Sequence, residues 1–151
     1  MYCFLLVFFA FPANISAENA MKKIQGPVTI TSGMLTADNQ AHTALFEQSV
    51  IARTTDMTMY ADNMLVHYDQ KTGNVIRIDV SGTVKVITAN LVITSREAVY
   101  YAGEEKIVFT GEPRAVDGGN VVTGKEMTYL MNEDRFLVES SKVFLTNTKE
   151  Q

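Results

Sequence analysis

Cysteine is almost missing from this chain: the 151 residues contain one, Cys3, at the extreme N-terminus, and there is no tryptophan. A lone terminal cysteine excludes an internal disulfide, a cysteine metal site and thiolate chemistry in the rest of the chain. Histidine is nearly as scarce. His42 and His67 stand beside turn-forming stretches, outside any ligand spacing, and read as surface residues, so no metal and no cofactor is expected. Basic runs are absent too, and the formal charge is -4. Without a cationic stripe to neutralise phosphates, nucleic acid is not an expected partner. Arg53, Lys85, Arg96 and Arg114 read as solvated, with phosphate contacts at a binding rim as the alternative. No nucleophile stands near a base, so an enzyme is not expected.

Long apolar runs are also lacking, with one exception. Tyr2 to Phe11 is apolar and is followed by Pro12 and by small residues around Ser16 and Ala17. It is half the length of about 20 residues that a helical membrane span needs. Residues 1–17 therefore read as a secretory signal peptide cut after Ala17, and residues 18–151 as one exported domain. An uncleaved N-terminal anchor is the alternative.

What the chain does have is repetition. Small or polar residues at Ser32, Gln48, Ala61, Gly82, Ser95, Gly111, Gly124 and Ser140 are each flanked by alternating apolar side chains. By subtraction the gaps alternate between 13 and 16 residues, except for one of 21 between Ala61 and Gly82, which contains the polar stretch DQKTGN. Such a stretch absorbs an insertion in a hairpin loop. Further turn signals recur at ADNQ, TTD, TAN, AGEE, DGGN and NEDR. Strands joined at that spacing form an antiparallel meander with almost no helix.

Side chains two apart on a strand share a face, so the flanks define one apolar side of the sheet. Before and after Gln48, Gly82 and Gly111 that side holds Phe46 and Val50, then Ile78, Val80, Val84 and Val86, then Phe109, with Val138 before Ser140. Around Ala61, Ser95 and Gly124 it holds Met59, Met64 and Val66, then Ile93 and Tyr100, then Met127 and Tyr129. These fifteen residues are the candidate binding surface. Lys142 and Phe144 fall on the same count after Ser140, with a register slip at SSKVF. Around the second set the offset changes from two to three, which predicts a bulge or corner at Ala61, Ser95 and Gly124.

The phrases LFEQSV, DVSGTV and VFTGEP, alternating with MYADNMLV, TSREAVYY and VTGKEMTYL, resemble the OstA-like family of lipopolysaccharide transport over about residues 28–146. The resemblance implies an all-β, open antiparallel β-jellyroll, V-shaped in section, in the periplasm. It implies an apolar trough for the acyl chains of lipid A, and head-to-tail strand pairing with further copies or with related OstA-like domains of the inner- and outer-membrane components. Two other readings stay open: an inner-membrane-anchored sibling of the same system, and a polymerising β-scaffold with no lipid ligand.

Overall fold

The computed structural model describes residues 27–146, so the expected signal peptide at residues 1–17 lies outside the described residues. Twelve strands form one antiparallel sheet: β1 (Thr29–Thr31), β2 (Met34–Asp38), β3 (Thr43–Arg53), β4 (Thr58–Tyr68), β5 (Val75–Ile87), β6 (Leu91–Tyr101), β7 (Lys106–Thr110), β8 (Arg114–Asp117), β9 (Asn120–Thr123), β10 (Glu126–Leu130), β11 (Arg135–Glu139) and β12 (Lys142–Phe144). Each expected turn stretch connects two of them. Side chains close these turns: Asp38 accepts from the backbone N–H of Gln40 and Ala41, and Asp69 from those of Lys71 and Thr72. Such Asx contacts are the reason these residues favour turns.

The sheet is bent along a line through the small residues of the repeat. β3 to β6 cross that line intact, whereas β1/β2, β7/β8, β9/β10 and β11/β12 are each interrupted at it. A long wing results, in the order β2, β3, β4, β5, β6, β7, β10, β11, together with a short wing in the order β1, β3, β4, β5, β6, β8, β9, β12. The two wings fold face to face, and side chains from both merge into one apolar cluster. Neither end of the sheet is closed by another strand among the described residues.

The strands bend at the small or polar residues of the repeat, but the position of the bulge corrects the sequence expectation. Left-handed backbone occurs at Gln48 and Ser49 (φ 66° and 57°), Gly82 and Thr83 (76° and 46°), Gly111 and Glu112 (74° and 57°), and Ser140 (53°). The pairing slips between Glu47 and Val50 in β3 and between Ser81 and Val84 in β5. The extra bulge residue thus sits on the strands that carry Gln48 and Gly82, opposite the positions where a corner was expected. Strands β4 and β6 answer by changing which parity faces inward, and that change is the offset of three visible in the sequence. Glycine is required where a side chain has no room: a Cβ on Gly82 would stand 2.7 Å from Asp62 Cβ, and one on Gly111 2.5 Å from Arg96 Cβ.

Candidate functional site

All fifteen candidate residues belong to the apolar cluster or pack against it. The period-2 assignment of faces therefore matches the fold. Ten of them, Val50, Met59, Met64, Val66, Val80, Val84, Val86, Ile93, Phe109 and Met127, are buried, Met127 at 0% exposure. Phe46, Ile78, Tyr100, Tyr129 and Val138 are half-buried. Seven of the ten, Val50, Met59, Met64, Val66, Val80, Val84 and Met127, lie away from any cavity wall and act as packed core where the wings meet along the bend.

Space exists farther out, between the tips of the two wings. A cavity of about 510 Å³ opens there, within the range of about 300–1,000 Å³ usual for ligand sites. From the candidate set it takes Val86, Ile93, Phe109 and Tyr129. The remaining apolar walls are Met57, Leu91, Ile107, Met131 and Phe136. Ile107 and Phe136 already lay on the apolar parity. Met57, Leu91 and Met131 continue the alternation of Met59, Ile93 and Tyr129 by one step into the turns, and that continuation is the signal that finds them.

Polar groups are confined to the rim. Asp56, Asp117 and Asp134 line the mouth with Thr54, Thr88 and Asn90. The Tyr129 ring stacks on Phe136 at 4.4 Å between centroids, and its hydroxyl donates to Asp134 Oδ1 at 2.8 Å. Burial, and then that hydrogen bond to a carboxylate, push the Tyr129 phenol up to about 12, so it remains a neutral donor. An acidic rim around an apolar pocket admits hydrocarbon and repels an anionic headgroup at the same mouth. Among the described residues, no group of three His, Cys, Asp or Glu is placed to hold a metal ion.

Both ends of the roll expose apolar inward positions. At the N-terminal end Leu35, paired with Phe46, is 55% exposed. At the C-terminal end Val143 pairs with Val122 and is 53% exposed. Val143, and not Lys142 or Phe144, thus continues the inward face: the expected slip at SSKVF is present, with the left-handed Ser140 at its start. The cations are exposed, as the solvated reading expects, and none lines the cavity rim. Arg96 pairs with Glu112 at the bend, at 3.0 Å, while Arg53, Lys85 and Arg114 lie on the outside of the short wing.

A family model described as LptA/(LptD N-terminal domain) LPS transport protein matches residues 29–135. Among solved structures, the chain is similar to the crystal structure of LptH, the LptA-homologous periplasmic component of the lipopolysaccharide transport device of Pseudomonas aeruginosa. The TM-score is 0.71 at 10% identity, over 80% of this chain and 95% of that one. At that identity the likeness speaks to the fold. No curated protein sequence matches the chain.

Proposed function

The chain belongs to the LptA/LptD N-terminal family of lipopolysaccharide transport proteins, which are carriers and not enzymes, and from that premise we propose that it is a periplasmic carrier holding lipid A acyl chains between its wings. The observation that carries this reading is the apolar cavity between the wing tips, continuous with the packed interior. Burial of hydrocarbon gains about 0.8 kcal/mol per methylene, so one chain of about a dozen carbons contributes on the order of 10 kcal/mol before the costs of association. Apolar walls alone suffice for affinity. The cavity takes the chain ends first, and further uptake requires the wings to part along the bend.

The open ends support the second half of the proposal, which is head-to-tail assembly. Every residue of β2 is exposed along the free edge at one end, and at the other β12 is exposed throughout while β11 alternates. An unprotected strand edge is a template for another strand, and a heterologous contact of this kind propagates from inner- to outer-membrane partners of the same fold. The fully buried centre favours one competing reading, a polymerising scaffold with a filled core. An anchored sibling of the same system would differ in keeping residues 1–17 as an anchor.

Photo-crosslinking separates carrier from scaffold. A photoreactive residue at Leu91 or Phe136, in the cavity wall, is expected to capture lipopolysaccharide in cells, and one at Val108, on the opposite face of its strand, is not. Capture from neither wall position, with the protein folded, would contradict the carrier reading.

A further inference from the structure

The outside of the short wing carries a pattern that the trough does not use. Reading across the strands, the register places Tyr60 opposite Lys85, Lys85 opposite Thr94, Thr94 opposite Arg114, Arg114 opposite Thr123, and Thr123 opposite Lys142. Directly opposed residues share a face. The row therefore alternates cation and threonine, and at about 4.8 Å per strand its cations recur every 10 Å or so. The neighbouring row, toward the turns, contains Arg53 and then Ile87, Val92, Val116, Val121 and Phe144. Neither row contains a carboxylate.

The long wing treats its cations differently. Arg77 is held by Asp79 at 2.6 Å, Lys106 by Glu104, and Arg135 by Glu133 at 2.8 Å. Among the described residues, Arg53, Lys85, Arg114 and Lys142 make no ion pair, and all four are exposed. An acidic protein has thus collected four unpaired cations on one sheet face. Their mutual repulsion is relieved only by anions from outside the chain.

We propose that the outer face of the short wing docks on an anionic phospholipid bilayer surface. The one depression beside the row, lined by Arg114 and Thr123, is open and shared with Glu112, so the face suits a surface better than a small anionic ligand. Mobile headgroups adjust to any spacing of cations, and the threonine hydroxyls between the cations donate to phosphate oxygens. The adjoining apolar row, ending in Phe144 at 65% exposure, meets the boundary between headgroups and acyl chains. A second copy is the weaker occupant. Its own acidic row, Glu47, Glu97, Glu126 and Glu139, lies on the second, fifth, seventh and eighth strands of the long wing, against the fourth, sixth and eighth for the cations. The two sets are out of phase, and Glu139 already approaches Lys125 at 3.9 Å. Docking here does not depend on whether the trough holds lipid.

Vesicle flotation tests it, with phosphatidylcholine vesicles compared with vesicles that also contain phosphatidylglycerol. The intact protein is expected to float with the anionic vesicles at low salt, to be released near about 1 M salt, where the Debye length falls to about 3 Å, and to ignore phosphatidylcholine. The combined Lys85→Gln, Arg114→Gln and Lys142→Gln changes are expected to weaken flotation at least tenfold, while leaving circular dichroism and lipopolysaccharide recovery unchanged. Removing as many long-wing cations, Arg77→Gln, Lys106→Gln and Arg135→Gln, should have less than a threefold effect. Equal losses from the two triple variants, or equal binding to both vesicle types, would overturn the proposal. So would self-association that the short-wing variant abolishes, or polyglutamate competing as well as anionic vesicles, since each would assign the face to a protein.

Discussion

The two wings share strands β3 to β6 and both turn an alternating apolar face inward, and they differ on the outside. On the long-wing strands Arg77, Lys106 and Arg135 each pair with a carboxylate two residues away; on the short wing Lys85, Arg114 and Lys142 are spaced across strands and unpaired. Inside, Phe109 and Met127 of one wing meet Val50, Val84 and Val86 of the other in a single apolar cluster. The inner faces are constrained together because they fold against each other. On the proposed reading the outer faces meet different surroundings, and the unpaired cations mark the docking side.

Adjacent residues on β5 give the largest contrast. Val84 is 1% exposed and its neighbour Lys85 points outward. Val84→Glu places a carboxylate among apolar side chains, which costs several kcal/mol, and it should lower the urea midpoint sharply and abolish lipid recovery. Lys85→Glu should change stability by less than about 0.5 kcal/mol and leave lipid recovery intact. Equal effects would break the assignment of faces. On the long wing, Phe109→Ala empties a buried position and should cost about 3–5 kcal/mol in urea unfolding.

The bend that joins the wings comes next in size. Gly111 has φ 74° and no room for a Cβ beside Arg96. Gly111→Ala should cost about 1–3 kcal/mol. The same change at Gly103, where a Cβ would meet nothing within 4 Å, should be nearly neutral.

Much of this arrangement was legible in the sequence. Period-2 alternation and turn residues specified an antiparallel roll, because a one-residue slip would expose an entire apolar face. The fifteen inward residues follow from that constraint alone. Their division into packed core and cavity wall does not, since it depends on how close the wings approach: Met64 and Tyr129 both face inward, yet Met64 is packed at 2% exposure and Tyr129 is half-buried in the cavity wall. The corner was expected at Ala61 because the change of parity is visible there. Its cause lies on the partner strand, at Gln48, whose left-handed backbone carries no glycine to announce it. The cation row was hidden for a related reason: Lys85, Arg114 and Lys142 are far apart in the chain and become a row only through the register.

Smaller effects sharpen the contrast between the outer faces. Burial alone would raise the Asp79 carboxyl, but hydrogen bonds from Arg77 and His67 outweigh it and hold the group below the usual carboxylate range. A depressed value stabilises the fold above the unfolded value of about 3.9, and that stability is lost as pH falls through the folded value. Asp79→Asn should therefore flatten the acid side of the stability profile by less than about 1 kcal/mol, since the pair is part-exposed. Lys85→Gln, with no partner to lose, should leave that part of the profile unchanged.

The most direct test of the carrier account is mass spectrometry of the lipid that accompanies the protein purified from the periplasm of a lipopolysaccharide-producing cell, with wild type compared with Leu91→Glu in the cavity wall and Lys85→Glu outside. Lipopolysaccharide recovered with wild type and Lys85→Glu, and lost with a folded Leu91→Glu protein, is the predicted result. A folded wild type that carries no lipid, even after lipopolysaccharide is added, would contradict it and assign the packed roll to a scaffold.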